Sequence, residues 1–224
     1  MLALLLACSS TPAPAPEAPA PTPQLPPAEV TRKALNVALN WYPEPEFGGY
    51  YQALLDGSYA AQGLDVTLTP GGPGTPVLEM LQAGGADVAV SGADDLLAKR
   101  DKGLDAVAVF AGFQHSPVGL MAHAGGAATF DAVTGPVAIE AGSPFQRFLW
   151  AKYGWDGKVA MVPTTGSVGP FAADPSLVMQ AYVTSEPCVA EGQGLKVNFL
   201  PGKDAGWDPY ASLAVIRLGM IWLF

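Results

Sequence analysis

The sequence predicts an α/β protein with mostly parallel sheets and helices on both faces, arranged as two similar sets of elements. Three observations carry this. From Leu35 onward, short apolar runs of strand character alternate with helically spaced segments, and that alternation implies parallel strands joined by right-handed crossovers. The alternation is interrupted around Pro117–His123 and the small residues Ala124–Ala128, and then resumes. The 26 glycines and 22 prolines suit many short loops rather than a long-helix bundle.

Ahead of the first set, Met1–Ala7 is almost wholly apolar and runs into Cys8-Ser9-Ser10; Leu5-Leu6-Ala7-Cys8 resembles the bacterial lipoprotein signal. That resemblance implies signal residues 1–8, with Cys8 as the lipid-bearing residue. Nearly half of Thr11–Ala28 is proline and half of the rest alanine, so residues 9–33 are expected to form a semi-rigid, polyproline-like spacer without a packed core. The two cysteines, Cys8 and Cys188, cannot supply a disulfide framework or a metal cluster once Cys8 carries lipid. A net charge of −9 with only 14% charged residues argues against nucleic acid, which requires a basic footprint. No apolar run approaches the roughly twenty residues of a membrane span.

The first strand is Leu35–Leu39, and Pro43 and Pro45 stop its ladder after Asn40-Trp41-Tyr42. Gly48-Gly49 then opens a helical pattern of Tyr50, Leu54, Leu55 and Tyr59. Gly63 caps it, and Leu64–Thr69 is the second strand. A helix over about Thr75–Ala83, a strand at Asp87–Val90 and a helix behind Gly92 follow. This last helix has Asp94 and Asp95 in its first turn and Lys99 and Arg100 in its last, both favourable to its dipole. Asp105–Phe113 is a fourth strand and Val118–Ala122 the next.

The second set reads strand Val137–Glu140, helix Phe145–Tyr153, strand Val159–Val162, a short helix near Pro170–Ala173, strand Leu177–Val183, a helix from Glu186 toward Glu191, and Val197–Leu200 as the last clear strand. Its grammar matches the first set.

Taken together, Asn40-Trp41, Gly48-Gly49-Tyr50-Tyr51, Gly63-Leu64-Asp65-Val66, Gly84–Val90, Ser91–Asp95, Gly142-Ser143-Pro144 and Tyr182–Pro187 resemble the type 2 periplasmic substrate-binding proteins of ABC importers. The nearest group binds thiamine-pyrimidine precursors, riboflavin, taurine, sulfonates and nitrate. The resemblance implies a first lobe at 34–120, a second at 121–208 and a return toward the first at 209–224, with a ligand cleft between lobes. It also implies a small-molecule ligand, an ABC permease as partner, a monomer, an extracytoplasmic place at the membrane, and neither cofactor nor metal.

Ligand contacts are expected at Asn40, Trp41, Tyr42, Gly48, Gly49, Tyr50, Ser91, Gly92, Asp94, Gly142, Ser143 and Glu186. Strand ends and helix N-termini offer free N–H groups there. Each has a plainer reading. Trp41 and Tyr42 could close a core, Ser143 could simply cap a helix, Asp94 and Asp95 could serve the dipole, and Glu186 could be a solvated surface charge. Aromatic walls with acids favour a flat heteroaromatic or a cationic amine, which points to a pyrimidine- or flavin-like vitamin. An enzyme of pyrimidine-precursor synthesis on the same fold is an alternative, although His115 and His123 fall in no acid–base constellation; a sensor or docking domain is another. Sequence like that of the family runs through Leu213, whereas Ile216–Phe224 is an apolar string expected to be foreign to the fold and to leave apolar surface on the first lobe.

Durable anchoring requires more than one acyl chain. Palmitate labelling should mark the wild-type chain and not Cys8→Ala; equal labelling of both, or of neither, counts against the anchor.

Overall fold

The computed structural model describes residues 32–223, so the signal segment, Cys8 and nearly all of the spacer lie outside the described residues. The first set comprises β1 (Lys33–Ala38), α1 (Gly48–Leu55), α2 (Ser58–Ala61), β2 (Leu64–Thr69), α3 (Val77–Ala83), β3 (Val88–Ser91), α4 (Ala93–Arg100) and β4 (Ala106–Phe113). The second comprises β5 (Val118–His123), β6 (Val137–Ile139), α5 (Pro144–Tyr153), β7 (Met161–Pro163), α6 (Gly169–Ala173), β8 (Val178–Tyr182), α7 (Glu186–Gly192) and β9 (Val197–Pro201). β10 (Ala211–Arg217) follows.

These strands make two five-stranded sheets, ordered β2-β1-β3-β10-β4 and β7-β6-β8-β5-β9. β10 runs antiparallel to both β3 and β4, and β5 antiparallel to both β8 and β9. The other four strands of each sheet therefore share one direction, as the alternation requires. The reversed strand occupies the same place in both sheets, and in each case the chain arrives in it from the other sheet.

Continuous apolar strands are explained by burial on both faces. In the second sheet, Leu120, Val137, Ile139 and Val178 pack on one side with Phe145 and Leu149 of α5. Their chain neighbours Met121, Ala138 and Met179 pack on the other with Phe171 and Ala190. The first sheet divides the same way, with Leu35, Val37 and Val90 on one face and Ala38 and Ala89 on the other. The period of two along each strand sets this partition.

Two expectations need correction. The apolar pattern after Gly48-Gly49 does not bury a helix face: α1 has no buried residue, and Leu54 and Leu55 are 43% and 82% exposed. The helix also breaks before Gly57, which takes φ 78°; its rings Tyr50 and Tyr51 instead lean on Leu35, Val37 and Phe47. Of the string Ile216–Phe224 expected to be foreign, Ile216 and Arg217 belong to the fold. Ala211–Arg217 forms an interior strand, Ile216 is 3% exposed, Met220 is buried, and Arg217 donates to the Leu81 carbonyl at 3.1 Å. A strand buried on both faces lacks alternation, so its sequence did not read as one. The first sheet does expose apolar surface at its edge, where Val109 and Phe110 of β4 are 56% and 60% exposed.

If β10 extends to Arg217, Ile216→Ala should cost about 2–5 kcal/mol in urea unfolding. Leu218→Ala, at a residue 40% exposed, should cost much less. Equal, small losses would return the tail to the surface.

Candidate binding cleft

The carboxyl ends of β1, β3, β6 and β8 meet the starts of β5 and β10 around one cavity of about 90 Å³. From the first sheet come Asn40 and Trp41 after β1, Glu46 from the Pro45–Phe47 turn, Gly92, Asp94 and Asp95 after β3, and Ala211 and Ser212 of β10. From the second come Glu140 after β6, Ser143 and Phe145 at the start of α5, Thr164, Gln180, Tyr182 and Glu186. Ser116, Trp207 and Tyr210 belong to the two segments that cross between the sheets. Those segments are tied together: Asp208 accepts from the Ser116 backbone N–H, and its other oxygen lies 2.8 Å from His115 Nδ1.

The halves also touch across the cavity mouth. The Gly74 N–H donates to Glu140 Oε1 at 3.0 Å. Tyr42 is wedged against Gly166, where a Cβ would come within 2.7 Å of its ring. Gly166 has φ +69°, so glycine is required there twice over. At about 90 Å³ the cavity is well below the roughly 300 Å³ of a drug-sized pocket.

Of the expected contacts, Asn40, Trp41, Gly92, Asp94, Ser143 and Glu186 line this cavity. Ser143 is both cap and wall, its hydroxyl accepting the Gln146 N–H at 3.2 Å. Glu186 is buried, not a solvated surface charge, and its Oε2 accepts the Tyr182 N–H at 2.8 Å. Tyr42 stays outside as part of the rim, 42% exposed and edge-on to Trp41 with centroids 5.7 Å apart. Ser91 is buried and borders a neighbouring groove with Asp95 and Glu140. The remaining four do not reach the cavity. Gly48 and Gly49 are exposed and face open space, because the Pro45–Phe47 turn occupies the strand end before α1 begins. Tyr50 packs against the apolar cluster of β1 with its hydroxyl unpartnered. Gly142 is a turn residue at φ 75°, its carbonyl taken by Arg147.

Glu46, Asp95, Glu140, Gln180, Tyr182, Trp207 and Ser212 line the cavity but are not among the expected contacts. Glu140 and Tyr182 had a usable signal, since both close parallel strands. Ser212 had none: it holds φ 49°, unusual for a non-glycine residue, and only tertiary pairing puts it there. His123 lies elsewhere, its Nε2 2.7 Å from the Phe171 carbonyl and its ring stacked on Phe171.

The electrostatics are one-sided. Burial pushes Glu46 up to about 7, helped by the charges of Glu44 and Glu186. It pushes Glu186 up to about 7 and Asp95 to about 6, with Asp94 adding to the latter. Asp94, Glu140 and Glu44 are raised as well, again chiefly by burial. No lysine or arginine is among the described residues lining the cavity.

A family model described as NMT1/THI5 like matches residues 44–217. The riboflavin-binding protein RibY of Chloroflexus aurantiacus is 29% identical over 217 residues, covering 91% of this chain and 61% of its own length. The chain thus spans about three fifths of that curated relative. The alkanesulfonate-binding protein SsuA from Xanthomonas axonopodis pv. citri, solved with MOPS, superposes with a TM-score of 0.61 at 14% identity, over 85% of this chain and 68% of that one. A Salmonella typhimurium periplasmic binding protein of high arginine specificity gives 0.65 at 13% identity, over 86% and 88%. These relatives are binding proteins, and at such identities the structural likeness shows the fold alone.

The raised carboxyl groups fix a sign for pH dependence. Glu46 and Glu186 bind protons more tightly folded than unfolded, so their contribution is most favourable below the unfolded value of 4.5 and is lost as pH rises through about 7. The solute-free protein should melt several degrees higher near pH ~5.5 than near pH ~8. Glu46→Gln with Glu186→Gln should flatten that slope; a melting point that instead rises with pH over this window contradicts it.

Proposed function

The chain belongs to the NMT1/THI5-like family, and from that premise we propose that it is the solute-binding component of an ABC importer. It captures a small organic molecule between its two halves and delivers it to a membrane permease. The observation that carries this reading is the cavity itself: strand ends and helix starts from two sheets of identical order converge on it, and two crossing segments join the sheets there. The crossings at 114–117 and 202–210 are the hinge, and the Gly74–Glu140 hydrogen bond is a contact made on closure. The protein works without catalysis, as a monomer, outside the cytoplasm, and is held at the membrane through lipid on Cys8 with the proline-rich spacer setting its reach.

Within that role, aromatic walls and hydrogen-bonding acids suit a flat nitrogen-rich solute of the vitamin or pyrimidine kind. RibY, by its name a riboflavin-binding protein, is consistent with such a ligand. A flavin exceeds the 90 Å³ of the closed cavity, so it would require the halves to part. Asn40, Trp41, Gly92, Asp94, Ser143 and Glu186 are the proposed contacts.

A solute library screened by thermal shift should yield at least one ligand that raises the melting point, with affinity confirmed by calorimetry. Trp41→Ala should then weaken that ligand by about 1 kcal/mol beyond lost contact area. A library spanning vitamins, pyrimidines, amines and sulfonates that yields no ligand overturns the function; unchanged affinity in a folded Trp41→Ala variant removes Trp41 from the site.

A further inference from the structure

We propose that the solute recognised in this cleft carries a permanent positive charge, as a guanidinium, amidinium or quaternary ammonium group. The inference rests on the solute-binding reading and replaces the uncharged vitamin considered there with a charged class of ligand. Glu46, Asp94, Asp95, Glu140 and Glu186 approach the cavity from both sheets. Arg147 and Lys99 act on Asp95 only through space, their hydrogen bonds going to the Gly142 carbonyl and to Glu79. A negatively charged solute would enter a site of its own sign, in surroundings where Coulomb repulsion is only weakly screened.

Two further features point to a missing donor of hydrogen bonds. Ser212, only 7% exposed, lines the cavity and brings a hydroxyl to its wall. Glu46 Oε2 is buried with no hydrogen-bond partner among the described residues. Buried acceptors left unpaired are costly, and a cation with several N–H groups satisfies carboxylate and hydroxyl together. The carboxylates are nonetheless dispersed: among the described residues no three acidic, histidine or cysteine side chains gather closely enough to hold a metal ion. Dispersed charge around a cavity walled by Trp41, Trp207 and Tyr210 fits a larger, softer cation held partly through ring faces. The cavity's 90 Å³ accommodates such a head group while any tail leaves through the mouth.

The test uses probes matched in shape and different in charge, titrated calorimetrically into the full chain. Methylguanidinium is paired with methylurea and methanesulfonate, and benzamidinium with benzamide and benzenesulfonate. Each cation should bind at least about tenfold more tightly than its neutral partner, with the sulfonates weakest. Glu46→Gln should weaken cation binding roughly tenfold and the neutral partners less. Should that variant fail to fold, Asp95→Asn provides the same comparison. Neutral or anionic probes binding as well as the cations would overturn the inference. So would binding of a vitamin or sulfonate from the wider library while every cationic probe stays silent, an outcome that leaves the solute-binding function standing. Silence from both the probes and the library overturns that function as well.

Discussion

Each sheet is completed by a strand that the other half delivers. β10 enters between β3 and β4 only after the chain has left the second sheet, and β5 enters between β8 and β9 only after it has left the first. Both are interior strands with partners on two sides, so neither sheet can form its full ladder without the crossing. The crossings must therefore lie side by side, and Asp208 links them through Ser116 and His115. Everything at the cavity follows from that constraint. The reversed strands begin where the parallel strands end, so strand carboxyl ends, helix starts and crossing segments share one space.

That space favours negative charge up to a limit. The N-termini of α4, α5 and α7 face it, and helix N-termini accept acids in their first turn. Asp94, Asp95 and Glu186 occupy such turns. Yet burial outweighs the dipoles, since every carboxyl that lines the cavity is raised rather than lowered. Acids on exposed turns behave oppositely: Asp56, Asp174 and Asp208 are lowered by hydrogen bonds to serine or histidine side chains. The contrast marks the cavity as a place where burial disfavours the charged form of the acids that line it.

The two halves meet through specific contacts. Tyr42 fits against Gly166 with no room for a Cβ, and Glu140 receives the Gly74 backbone. Both join loops whose sequences, rich in glycine and proline, carry no periodic signal. A tyrosine at the rim rather than in the wall leaves Trp41 as the ring of that pair that lines the cavity.

The elements and their class are legible in local residue patterns. Alternating strands and helices, glycine and proline punctuation, and the Ser143 cap are local patterns, and local sterics and hydrogen bonding enforce them wherever they occur. The sequence also placed Asn40, Trp41, Gly92, Asp94, Ser143 and Glu186 at the cavity, because strand ends and helix starts are visible in one dimension. Gly48, Gly49 and Tyr50 stand away from the cavity, since nothing local shows that the Pro45–Phe47 turn intervenes and carries Glu46 inward instead. The sequence missed β10, whose apolar run is ambiguous until both faces are known to be buried. Ser212, Gln180, Trp207 and the gathering of acids were decided by tertiary structure alone. Their proximity depends on two strands crossing between sheets, and long-range pairing leaves no trace in the spacing of residues along the chain.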